Sequence, residues 1–287
     1  MCTLSRADAG ADVELHAPVV IDAHGSWEPA PRNAGAGRAR RRPHRGSDLL
    51  AFKSTWRGAS LEPGLLPVLA FTGGYGGIVL GDHGLTTLAF CIRRDVLKAV
   101  RAQSPGSTAA QAAMAHVEAA CARVPDVLHG AEMVGPWLAV GPLQPGIRKA
   151  WRGDGAFAIG NAAGEAHPIL GEGMSMAIQS AWLLCDRLIA HRRNAGAVRF
   201  ANANLSAVGH DYSRDWRSAF ASRVRLAAAC AHLAMRPHAA GILLPVLQHW
   251  PVMLTLAARA AGKVRQAAVA PCLPPATQPL HSPGVHG

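Results

Sequence analysis

In the first third of the chain apolar residues fall in short runs; in the last third they recur at helical spacing. Residues 13–28, VELHAPVVIDAHGSWE, read as an extended approach, a buried strand over Val19–Asp22 and a glycine turn. Between 47 and 95 the pattern predicts several strands, LLAFKSTWRG first and LLPVLAFTGGYGGIVLGDHGLTTLAFCIRRD after it, with Asp82-His83-Gly84 as a hairpin-like turn. The glycines around Tyr75, from Gly73 to Gly77, either break this sheet or let another group approach its backbone closely. Residues 107–124 have apolar positions three and four apart and predict a helix, capped by Ser107 and stopped by Pro125. Residues 137–144 predict another strand, leading into a turn at Pro145-Gly146.

Residues 156–190, AFAIGNAAGEAHPILGEGMSMAIQSAWLLCDRLIA, change character within a few positions. Phe157–Ile159 is a short buried strand, small residues and glycines follow, and Met174 to Ala190 is helical. The expected core face of that helix carries Met174, Ile178, Ala181, Leu184 and Leu188. Residues 207–235 and 240–262 also predict helices, with Pro237 between them. Trp182, Trp216 and Trp250 fall on apolar helical faces, where packing is their ordinary use. Ala239–Ala258 has the length to span a bilayer, but Pro245, Gln248, His249 and Pro251 interrupt it. Two proline-broken helices, packed on protein or lying at an interface, fit it better. No internal repeat is visible, and the mixture of strands and helices is an α+β / α/β pattern.

A strand running into a glycine-rich turn and then a helix is a general anion-binding arrangement. The first helical N–H groups have no intrahelical partner and the helix start carries partial positive charge. Gly160, Ala162, Ala163 and Gly164 leave the backbone approachable, Pro168 stiffens the entry, and Gly171 and Gly173 allow a tight turn. Asn161 follows the strand, where its side chain could meet a sugar-like hydroxyl. The same composition also suits an ordinary β–α connection packed closely.

GNAAGEAHPILGEGMSMAIQSAWLL resembles the second flavin-binding motif of the FAD-dependent oxidoreductases that include aromatic hydroxylases, geranylgeranyl-type reductases and flavin-dependent halogenases. Gly160, Ala162, Ala163, Pro168, Gly171, Gly173 and Ala177 match that motif, and Asn161 stands where the family has aspartate. The resemblance implies FAD as cofactor, held by Gly160, Asn161, Ala162, Ala163, Pro168, Gly171, Glu172, Gly173 and Met174. It implies a ribityl contact at position 161 and a helix start that stabilises the anionic reduced ring. VVIDAHGSW is similar to the family's Ala-Asp-Gly strand and turn, here Ala23-His24-Gly25, and TGGYGGIVLGDHG is similar to a strand of the substrate domain in reductase-like members. Residues 13–235 are covered in the family's order.

The family's opening strand–GxGxxG–helix unit, which holds the ADP pyrophosphate, has no counterpart in the sequence. The expectation is therefore a truncated or fragmentary flavoprotein that binds FAD weakly and aggregates. Its parts would be a residual end of the FAD-binding segment (1–30), a basic Gly/Pro/Arg loop (31–46), a substrate-domain antiparallel sheet and helix (47–150), the second FAD motif with its helix (151–200), C-terminal helices (201–265) and a disordered tail (266–287). This is a partial, Rossmann-like FAD domain joined to a substrate domain and C-terminal helices. Either an upstream part is missing through a mis-called start or frameshift, or a short protein has lost the ADP half. The resemblance implies a monooxygenase- or reductase-like oxidoreductase acting on a hydrophobic small molecule, with NAD(P)H or another electron donor. A non-catalytic binding protein built on the same scaffold is the alternative.

Composition narrows the remainder. With 49% apolar and 16% charged residues the chain is globular in character. The net charge of +11 is partly local, since GRARRRPHRG (37–46) holds Arg38, Arg40, Arg41, Arg42 and Arg45. A solvated loop is the ordinary account of that run, and a membrane-surface or anion contact is the sharper one. No aromatic residues interleave with the arginines, so nucleic acid is not expected. The 6 cysteines form no CxxC pair and the 14 histidines no HxxxH pattern, so no metal is assigned. Free thiols and the absence of an apolar leader in MCTLSRADAGADVELH point to a cytoplasmic chain, with membrane association as an option. His167 and Glu165 flank the motif, with loop polarity as their ordinary role and acid–base catalysis as the alternative. Tyr75 is expected in the core, and no nucleophile triad can be read.

Overall fold

The computed structural model describes residues 17–26, 44–153, 156–195 and 202–236, with strand backbones at Cys2–Leu4 and Val13–Leu15 and isolated positions after 236. The arginines at 38–42, Asp154, most of 239–262 and the tail at 266–287 lie outside the described residues. The short strands β1 (Cys2–Leu4) and β2 (Val13–Leu15) pair antiparallel, and β3 (Val20–Asp22) belongs to another sheet.

The largest sheet is antiparallel. It runs β5 (Val68–Phe71), β6 (Gly74–Leu80), β7 (Leu85–Arg93) and β4 (Leu49–Arg57), with β8 (Glu132–Met133) and β9 (Leu138–Leu143) both on the outer edge of β4. The Asp82–Gly84 turn joins β6 to β7 with His83 at φ 57°, as the hairpin signal predicts. The glycines do not break the sheet: Gly74, Gly76 and Gly77 lie inside β6. A Cβ at Gly74 would come within 2.0 Å of the Phe71 ring, and one at Gly76 within 2.5 Å of Phe90 Cβ. The missing side chains thus make room for a stack of Phe52, Phe71 and Phe90, whose ring centroids lie 5.6 and 6.2 Å apart.

Three helices cover one face of this sheet: α1 (Arg94–Gln103), α2 (Ala109–Ala120) and α3 (Arg123–Leu128). The first was not predicted; its sequence is charge-rich and buries only Leu97. The cap of α2 is Thr108, not Ser107. Its hydroxyl accepts the Gln111 N–H at 3.2 Å, and the Gln111 side chain accepts the Thr108 N–H at 2.9 Å. Pro125 does not end α2, which stops at Cys121; it sits in the first turn of α3, where a missing N–H costs no helical bond.

The chain then crosses to a second layer through β10 (Gly146–Ile147). The strand β11 (Ala156–Ala158) pairs in parallel with β3, β12 (Gly164–Glu165) pairs with β10, and two long helices follow: α4 (Gly173–Ala195) and α5 (Asn202–Ala234). Phe157, Met176, Leu184, Tyr212, Trp216 and Phe220 form the heart of this layer's core. A smaller cluster of Leu49, Tyr75, Cys91, Leu143, Ala231 and Met235 joins it to the uncovered face of the large sheet. The fold is α+β, with an antiparallel sheet and a small parallel one.

Of the expected core face of α4, Leu184 is buried and Leu188 packs against the second-layer core, but Met174 and Ile178 are 81% and 71% exposed, and Met176 and Ser180 are buried in their place. A shift of two positions is roughly 200° around a helix, and the sequence places apolar residues on both sides. The small Ala177 and the Ser180 hydroxyl decide the orientation, because the preceding loop packs against them. Of the tryptophans, Trp216 is 1% exposed, whereas Trp182 and Trp250 are 62% and 59% exposed.

Candidate functional site

The strand–turn–helix from Ala156 to Ala195 is built by local ties. The Ile159 N–H donates to Asp22 O at 2.9 Å, continuing the parallel pairing, and the chain then turns at Gly160 with φ +54°. That left-handed conformation suits glycine. A Cβ there would also lie 3.2 Å from Ala177 Cβ. The Gly160 N–H donates to Ser180 Oγ at 2.8 Å, and that hydroxyl donates to Ala177 O at 2.9 Å. The loop is thereby fastened to the second turn of α4. A short 3-10 turn at Pro168–Leu170 ends on Gly171, also left-handed at φ 63°, and α4 starts two residues later.

The expected site residues separate into two groups. Ala162 and Ala163 are buried in the second-layer core, as is Gly160. Pro168, Gly171, Gly173 and Met174 are exposed around the start of α4, with Asn161 half-buried nearby in sequence on the loop. No acidic residue occupies the first turn of α4, and a Cβ at Gly171 or Gly173 would meet nothing within 4 Å. Glu172 points the other way. Its carboxylate is 1% exposed and paired with Arg223 of α5, so only its backbone is open to a ligand.

A part-buried polar chain beneath the loop was not visible in the sequence. Asn161 Nδ2 donates to Ser26 Oγ at 2.6 Å, and Ser26 donates to Glu165 Oε1 at 2.7 Å. Glu165 Oε2 accepts from the Gln144 N–H at 3.3 Å and Arg148 Nη2 at 3.2 Å, while Arg148 also donates to Asn161 O. Asn161 Oδ1 has no partner among the described residues. At the other end, Asp22 holds His24 Nδ1 at 2.6 Å and Arg152 Nη2 at 2.6 Å. Burial raises the Asp22 carboxyl, but the His24 hydrogen bonds and the His24 and Arg152 charges outweigh it and leave it below the usual range.

His167 and Glu165 are buried rather than solvated loop residues, at 7% and 6% exposure. The Tyr75 hydroxyl lies 3.1 Å from His167 Nδ1, and His167 makes an edge contact with His232 at 5.6 Å. Burial lowers His167 to about 4, with His232 adding to the shift and Glu165 opposing it. Burial raises Tyr75, and Cys91 beside it is pushed up to about 12 by its own burial. The tautomer of the His167 ring sets which of the two donates. Tyr75 is core, as the sequence predicts, and it links the large sheet to the loop. Asp211, with no partner visible in the sequence, pairs with Arg214 at 3.0 Å.

Among the described residues no group of three His, Cys, Asp or Glu side chains is placed to hold a metal ion, and no helix is long and apolar enough to cross a membrane. Cys91, Cys121, Cys185 and Cys230 are free thiols.

No family model and no curated protein matches the sequence. Solved structures do match. The flavin-dependent brominase Bmp2 superposes with TM-score 0.64 and 16% identity, over 90% of this chain and 60% of that one. The flavin-dependent halogenase CmlS gives 0.56 and 23%, over 77% and 37%. The myxobacterial chondrochloren halogenase CndH, described as a variant of FAD-dependent halogenases, gives 0.53 and 20%, over 73% and 46%. The chain thus spans less than two thirds of each of these relatives. Over the matched part, the fold of this chain is similar to that of these flavin-dependent halogenase structures.

Proposed function

We propose that this chain carries the flavin-ring half of an FAD-dependent oxidoreductase, monooxygenase- or reductase-like, that acts on a hydrophobic small molecule with NAD(P)H or another electron donor. The observation that carries the reading is the Ala156–Ala195 unit, an exposed small-residue surface at the start of a long helix in a chain with this fold. Its residues fit the group. Asn161 Oδ1, with no partner among the described residues, is available to accept from a ribityl hydroxyl, and the Gly171–Gly173 backbone admits close approach. The first amides of α4 face no competing acid, so they favour negative charge there. When bound, the flavin would supply the redox chemistry. The chain's own residues hold the loop: Ser180 fixes Gly160, Ser26 orients Asn161, and Arg223 anchors Glu172 beneath the turn.

Among the described residues the parallel sheet has two strands, and no other strand–glycine-turn–helix unit offers an anchor for the adenylate half. Weak binding is what this proposal expects. Titration of the purified chain with FAD and with riboflavin, followed by flavin fluorescence, tests this. Saturable binding is expected for both, with FAD less than about tenfold tighter because its adenylate is not held. Tight stoichiometric FAD binding refutes the half-site account. No saturable binding of either ligand favours the non-catalytic scaffold instead. NADH and NADPH oxidation, with and without O₂, then distinguishes monooxygenase from reductase behaviour.

A further inference from the structure

A concave surface between α1 and the β4–β9 edge takes no part in the site above. It encloses about 560 Å³, within the roughly 300–1,000 Å³ of small-molecule sites. It opens on the helix-covered face of the sheet: Leu50 and Phe52 pack with the helices there, whereas Leu49 packs on the other face with Tyr75. The floor is apolar, from Leu50, Phe52, Leu97 and Ala139. The rim is cationic, from Arg94, Lys98 and Arg101, spaced along one side of α1.

These cations are unequal. Arg94 Nε pairs with Asp48 Oδ2 at 3.6 Å, an ion pair with no hydrogen bond at that nitrogen. Asp95, the one acid on α1, is engaged by Arg93. Lys98 and Arg101 are exposed, and among the described residues no carboxylate pairs with either. Two unanswered cations at the mouth of an apolar groove match one ligand chemistry, an anionic head on an apolar body. We propose that this groove binds a small amphiphilic carboxylate, with its head at Lys98 and Arg101 and its body along Leu50, Phe52 and Leu97. The groove is separate from the Gly160–Met174 loop, and the proposal does not rest on flavin binding.

Calorimetric titration of the full chain with decanoate, against decanol as the neutral probe, tests it. One saturable site is expected, with decanoate about tenfold or more tighter than decanol at low salt. A Lys98→Gln/Arg101→Gln variant should lose that preference and leave decanol binding unchanged. Ala139→Trp should abolish both, since Ala139 is exposed and a ring there fills the groove without entering the core. A photoactivatable decanoate, used at low protein concentration where self-association is suppressed, should label peptides of α1 and β9. Equal affinity for the two probes, absence of saturable binding, binding indifferent to these variants, a stoichiometry well above one, or labelling elsewhere overturns the proposal.

Discussion

Replacing Arg223 by methionine removes the support beneath the Gly171–Gly173 turn. The Arg223 and Glu172 side chains are 5% and 1% exposed. The guanidinium donates to Glu172 Oε2, to Gln179 Oε1 at 2.8 Å and to Ser175 Oγ at 3.2 Å, and it sits 5.4 Å from the Phe220 ring. Methionine keeps the apolar stem against Phe220 but removes all three bonds. Glu172 Oε1 already has no hydrogen-bond partner, so the carboxylate would be left buried with neither oxygen satisfied. Breaking one side of such a pair costs roughly 3–5 kcal/mol. For a chain of this size each kcal/mol lowers Tm by roughly 2–4 °C, so the expected fall is about 6–20 °C. Adding Glu172→Leu removes the stranded charge, and the double variant should return to within about 1 kcal/mol of the parent. Urea unfolding followed by the emission of Trp216, buried beside Phe220, measures each step. A single variant that loses less than about 1 kcal/mol, or a double variant less stable than the single, refutes the pair as a desolvated tie.

Three further outcomes are expected. His167, held near 4 in the folded chain against 6.5 when unfolded, makes stability full above pH 6.5 and progressively lower as the pH falls towards 4, because the unfolded chain takes the proton first. Screening on the His232 side limits this to roughly 2 kcal/mol; His167→Asn should flatten that part of the pH–stability curve in urea titrations. Gly164→Ala would bring a Cβ within 2.4 Å of the Trp216 ring, and should cost about 1–3 kcal/mol with a shift in Trp216 emission. Trp182→Ser, on the exposed side of α4, should change unfolding free energy by no more than about 0.5 kcal/mol; a larger loss would return Trp182 to the core.

Elements with a local signature were legible in the sequence. The β6–β7 hairpin shows its turn residues, and the Ala156–Ala195 unit shows a short apolar strand, glycines and helical spacing within one stretch. Ties between distant positions were not. Ser26 and Asn161 are 135 residues apart, and Glu172 and Arg223 are 51 apart. Each resembles a solvated loop or surface polar residue until the chain brings its partner near. The orientation of α4 was hidden for another reason. Its first turns carry apolar residues on two sides, so periodicity favoured Met174 and Ile178, whereas the packing of Ala177 and Ser180 against Gly160 turns those two outward. The early end of α2 was obscured because Pro125 is the more visible stop signal, while α1 lacked an apolar stripe wide enough to announce it.

The helix α5 spans 33 residues, roughly 50 Å of uninterrupted backbone. Its first two thirds bury Leu205, Tyr212, Trp216 and Phe220 in the second layer, and its end, with Met235 just beyond, packs Ala231 against Tyr75 and Cys91 of the large sheet. The Gly73 N–H closes the link by donating to Met235 O at 3.0 Å. One rod therefore belongs to both cores, and neither can melt without dislodging part of the other. The two layers should behave as a single cooperative unit, with one calorimetric endotherm whose van't Hoff and measured enthalpies agree.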